Sequence, residues 1–151
     1  LIETEKDKNY KFLFYFNYSS YLCGMDKDFT LYEEAFELKQ LGFDEPCNTC
    51  YDKLEMVASY GASVFDYKNY NTSGYMVSRP TFSQAFRWFR ENYNIDISIN
   101  TVYSKYNENT SKKYGGVIDN ESVFTNVGFH DTYEEAEFAC LKKLIKILKN
   151  K

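Results

Sequence analysis

The chain of 151 residues has one histidine, one tryptophan and two prolines, and no apolar run near the length of a membrane span. With His130 as the only imidazole, any Ser-His-Asp or Cys-His site would have to be built on it. His130 stands beside Asp131 just before the last helical pattern, where a solvated boundary residue is expected. Two prolines leave little room for linkers, and the length suits one domain large enough to bury a core without staples. Gly115-Gly116 lacks the rest of a phosphate-binding loop. Basic residues are outnumbered 18 to 22 by acidic ones, for a net charge of −4, which argues against general nucleic-acid binding.

Cysteine is scarce as well. Cys47-Asn-Thr-Cys50 has a metal-ligand spacing, but structural zinc needs four ligands. The remaining candidates are Cys23, Cys140 and His130, and Cys140 falls mid-stripe on an apolar helix face. A redox pair of the thioredoxin type should open a helix after a strand, whereas this one follows the turn Asp44-Glu45-Pro46. The bland reading is two ordinary cysteines in a reducing compartment. A small metal-binding protein using Cys47 and Cys50 is an alternative. No catalytic set, metal or cofactor is expected. The acidic pairs Glu33-Glu34 and Glu134-Glu135 fall in first helical turns, where the helix dipole explains them.

What is present in quantity is aromatic: 15 Tyr and 13 Phe, a composition that favours sheet. The pattern around which the chain is organised is Pro80 to Tyr93. Thr81 and Gln84 form a capping box, and Phe82, Phe86, Phe89 and Tyr93 recur on one helical stripe. Trp88 lies about 120° from the middle of that stripe, at the rim or outside, flanked by Arg87 and Arg90. Trp88 has two readings: it packs on a neighbouring loop or terminus, or it anchors a partner.

Either side of this helix the chain divides into short elements. Thr30 with Glu33 predicts a cap for a helix over 31–41, ended by Gly42 with Phe43 folding back. Strand signals follow at Cys50-Tyr51, Leu54 to Tyr60 and Val64 to Tyr67, then a loose polar loop from Asn69 to Gly74 and a short lead-in at Tyr75 to Ser78. Beyond Asn94, Ile97, Ile99 and Thr101 alternate with polar residues, and Val102-Tyr103 can extend that strand. Asn107 to Lys113 reads as a hairpin loop, Tyr114 to Val117 and Val123 to Phe129 as returning strands, with the turn at Asp119-Asn120. A last helix starts at the capping box Thr132/Glu135 and carries a wide apolar face through Leu148. The order predicts an α+β domain with three helices packed on one face of an antiparallel sheet.

The first 24 residues differ from the rest. Lys11-Phe-Leu-Phe-Tyr-Phe16 is too short for a signal-peptide core. Met25 is expected to be the translation start of a domain over 25–151, with 1–24 an upstream translated region or truncated leader. An intact mass from the native gene checks this.

Three pieces, Glu37 to Cys47, Pro80 to Tyr93 and Thr132 to Ile145, resemble a group of small uncharacterised proteins from gut Bacteroidetes and their phages. The resemblance implies a cytoplasmic setting in a bacterium or an infected one, and no activity. The resulting expectation is a non-enzymatic accessory domain that binds a macromolecule, most simply a protein, through Arg79, Arg87, Trp88 and Arg90. A single-stranded nucleic-acid binder using the same four residues is the alternative, since arginine and stacked rings suit single strands.

Overall fold

The computed structural model describes residues 26–52, 58–60, 67–106, 109–120 and 123–150. Among the described residues the class is α+β, with three α-helices and antiparallel strands. The strands form two sheets, where one was expected. The smaller contains β1 (Thr49–Asp52), β2 (Ala58–Tyr60) and β3 (Met76–Ser78) in the order β2-β1-β3. The larger contains β4 (Ile95–Tyr106), β5 (Asn109–Asn120) and β6 (Val123–His130) in sequence order.

Helix α1 (Tyr32–Gln40) begins differently from the sequence pattern. Leu31 occupies the cap position and no side chain caps the helix. The hydroxyl of Thr30 donates instead to the carbonyl of Pro80 at 3.2 Å, and its N–H donates to the same oxygen at 3.0 Å. A buried tertiary contact has displaced the local cap. The other end is as expected: Gly42 takes φ +94°, and the Phe43 N–H donates back to Leu38.

Helix α2 (Phe82–Tyr93) keeps its full capping box, with Gln84 and Thr81 bonded both ways. Asn94 ends it in the left-handed conformation, and β4 starts at the next residue. Helix α3 (Tyr133–Lys149) has the second complete box, Thr132 with Glu135. Its acidic start and lysine-rich end match the helix dipole.

The main core joins Leu38, Phe43, Phe82, Phe89, Ile95, Ile118, Leu141 and Leu144. Ile97 stands opposite Ile118, so the apolar residues of β4 and β5 share one face. Burying each such side chain fully stabilises the fold by roughly 1.5–3 kcal/mol. A second cluster of Ala35, Tyr51 and Val77 joins α1 to the small sheet.

Strand ends moved furthest from expectation. Asn109 to Lys113 is strand, paired with Val102 to Tyr106, where a loop was predicted. This part of the hairpin extends past the end of β6, whose pairing stops at Tyr114↔His130. Asp119 and Asn120 also belong to β5, paired on both sides, so the turn does not fall on them. Of the strand expected over Leu54 to Tyr60, Ala58–Tyr60 is β2 and the rest lies outside the described residues. For Val64 to Tyr67 only Tyr67 is described, and it is not in a strand; the next residue, Lys68, bridges to Cys47. The Asn69–Gly74 tract is pinned and not loose. Asn71 donates to the Phe43 carbonyl at 2.8 Å and accepts from the Ser78 N–H at 2.8 Å.

Candidate interaction surface

The four residues expected to meet a partner do not form one surface. Trp88 is 3% exposed, inside the main core. Its ring meets Phe43 at 5.6 Å and Tyr93 at 5.2 Å between centroids. The loop after α1 brings Phe43 over this side of α2, so the buried arc runs through Phe82, Ala85, Trp88 and Phe89. Trp88 takes the packing reading.

Arg79 is buried too, at 3% exposure. Its Nε donates to the Thr30 carbonyl at 3.3 Å, and its guanidinium carbon lies 4.8 Å from the Phe29 ring and 5.1 Å from the Tyr51 ring. Such stacking suits a delocalised, weakly hydrated cation. Arg79 and Trp88 are therefore closed to nucleic-acid bases as well as to protein partners in this structure.

Arg87 and Arg90 remain at the surface, each held within its own chain. Arg87 Nη2 meets Glu45 Oε2 at 2.6 Å, and Arg90 Nε meets Asp96 Oδ1 at 2.5 Å. The first ties α2 to the turn before β1, and the second ties it to β4.

The cysteine pair is buried as free thiols. Burial, reinforced by Glu45, pushes the Cys47 thiol up to about 12, and burial takes that of Cys140 up to about 11. Burial thus favours the neutral form of both thiols, which lowers their nucleophilicity. Among the described residues no three His, Cys, Asp or Glu side chains converge to hold a metal. His130 closes β6 opposite Tyr114, with Nε2 buried and without a hydrogen-bond partner.

The surface that sequence reasoning missed is the other face of the large sheet. Phe124 stands opposite Asp119 and Phe129 opposite Gly115, so both project from the side away from Ile118. They are 71% and 62% exposed. Gly115 makes room for Phe129: a Cβ built there would lie 3.1 Å from Phe129 Cε1. Covering glycine backbone gives Phe129 a share in the sheet, while Phe124 faces only a carboxylate across the strand. Further along the hairpin, Tyr103 is 66% exposed on the opposite face from these two, across from Lys112. The signal was in the sequence, because Phe124 is out of phase with Val123, Thr125 and Val127.

Acidic groups near the start of α3 give a pH-dependent stability. Glu137 is half-buried, and burial, followed by Asp28 and Glu134, pushes its carboxyl from 4.5 up to about 7. Glu34 on α1 shifts the same way, chiefly by burial, with Oε1 3.8 Å from Lys142 Nζ and Oε2 unbonded. The folded state thus holds protons more tightly than the unfolded chain. The contribution of these carboxyls to stability is full below the unfolded carboxylate range and is lost as pH rises through about 7. Asp131 shifts downward beside Lys113, so its window lies below this one. The midpoint of thermal unfolding should drop between about pH 5 and about pH 7.5, and Glu137→Gln should flatten that slope. An unchanged slope in the variant would remove Glu137 as its source.

No family model matches the chain, and neither a curated protein nor a solved structure does. No helix among the described residues is long and apolar enough to cross a membrane.

Proposed function

We propose that this chain is a non-enzymatic interaction domain that binds a protein partner through the face of its β4-β5-β6 sheet that carries Phe124 and Phe129. The observation that supports it is the pair Phe124 and Phe129, two large apolar side chains exposed on one face of one strand. Large apolar side chains left exposed on one face of a sheet mark a candidate contact surface. Aromatic residues are also enriched where protein partners meet. The resemblance to gut Bacteroidetes and phage proteins supplies the setting, an accessory protein of a gut bacterium or its phage.

The test is affinity capture from host lysate with the full chain, beside Phe124→Ser with Phe129→Ser, and Arg87→Ala with Arg90→Ala. Capture should be lost with the phenylalanine pair and kept with the arginine pair, all three folding alike by circular dichroism. The reverse pattern would return the site to the outer side of α2. Capture of nucleic acid, weakening steeply with salt, would replace the protein partner by a polyanion.

A further inference from the structure

Among the described residues the two sheets have four outer edges, and those formed by β3 and β6 are guarded against pairing. β3 is three residues long, too short to template a partner strand, and of the stretch around β2 only Ala58–Tyr60 is described. β6 is broken by a register shift opposite Gly116/Val117. There Gly128 takes φ +107°, and the Asn126 side chain accepts its N–H at 2.8 Å. A bulge with a side chain occupying a backbone amide is a common protection for an edge.

β4 has none of these devices. It pairs with β5 at twelve successive positions, from Ile95↔Asn120 to Tyr106↔Asn109, without a shift. It contains no proline and no glycine. In an antiparallel ladder alternate residues turn N–H and C=O away from the partner, so β4 presents a row of such groups along its free side. Among the described residues no strand pairs with that side. Ile97 and Ile99 point toward the helices yet stay only half-buried.

We propose that β4 is the edge through which two copies of this chain join, antiparallel about a two-fold axis near Ile99, into one six-stranded sheet. The strand is complementary to itself in that register. Ile99 meets Ile99 of the second copy, Ile97 meets Thr101, and Ile95 meets Tyr103, all on the helix side. On the other side Asp96 meets Val102 and Ser98 meets Asn100. Asp96 is the one charged residue from Ile95 to Tyr103, and Arg90 of its own chain holds it. No like charges are therefore opposed, and a closed two-fold pair leaves no growing edge at β4. The phenylalanine face on β6 stays open, so this assembly stands or falls separately from the partner site above.

Sedimentation equilibrium of the full chain tests it. The wild type should show a monomer–dimer equilibrium. Ser98→Lys with Asn100→Lys places lysines opposite each other twice and should weaken dimerisation by at least about tenfold. Both positions are exposed, so the variant should melt like the wild type. Ser98→Glu with Asn100→Glu should be weak alone, and mixing the two variants should restore a dimer. Hydrogen exchange on the wild type should show alternate β4 amides gaining protection as concentration rises. A wild type that stays monomeric at high concentration, with the β4 edge covered by another part of its own chain or left open, overturns the proposal. So does a dimer indifferent to the lysines, or mixed variants that fail to pair.

Discussion

Trp88→Ala should lower the unfolding free energy by about 3–5 kcal/mol, the range for deleting a buried large aromatic. Against a total of about 5–15 kcal/mol for a domain, that is enough to leave the variant marginally folded. The reason is geometric. Trp88 is the piece that lets two segments share one core: Phe89 and Tyr93 come from its own helix, and Phe43 from the loop closing α1. Removing the indole opens a space that Phe43 fills only by dragging the Gly42 turn with it. Trp88→Phe keeps a ring in contact with Phe43 and should cost clearly less. Arg87→Ala and Arg90→Ala remove exposed ion pairs and should each stay within about 1 kcal/mol. Denaturant melts of the four variants rank these effects. A Trp88→Ala protein as stable as Arg87→Ala would place the indole outside the core.

What could be read from the sequence was local. The capping boxes at Thr81/Gln84 and Thr132/Glu135, the Gly42 stop and the left-handed Asn94 each depend on residues within one turn. Thr30 had the same signal and did not use it, because Pro80, fifty positions away, offered its hydroxyl a buried acceptor. Trp88 failed for a similar reason. A helical wheel gives the face that one layer buries, and α2 is covered by a second segment that the wheel does not contain. Arg79 shows the limit for charged residues. Its burial rests on Phe29, Tyr51 and the Thr30 carbonyl arriving from two other segments. Strand ends were misread where polar residues run through them. The Asn109 to Lys113 strand lies beyond the reach of β6. Its pairing is held by backbone bonds and not by an apolar face.

Gly116 carries the second large effect, and it concerns how α3 seats on the sheet. A Cβ built on Gly116 would lie 2.4 Å from Cys140 Sγ, with Val127 Cβ at 3.4 Å and the Ala136 carbonyl at 3.8 Å. The small residues Ala136 and Cys140 of α3 thus rest almost directly on glycine backbone. The clash is steric, because among the described glycines Gly42 and Gly128 have positive φ and Gly116 does not. Gly116→Ala should therefore cost about 1–3 kcal/mol by overpacking, and Gly116→Val more, although valine suits strands. Cys140→Ala removes the obstructing sulfur. The double variant Gly116→Ala/Cys140→Ala should recover part of the loss, with a favourable coupling of about 0.5–3 kcal/mol. Gly115→Ala is the internal control: its Cβ would meet only the exposed Phe129 ring, which can swing aside toward solvent. Neighbouring glycines on opposite faces should then differ sharply, one governed by a helix that cannot retreat and the other by a ring that can. If the two alanine variants melt together, or the double variant is simply additive, the sulfur rotates away freely. The close seating of α3 on β5 would then not be what Gly116 secures.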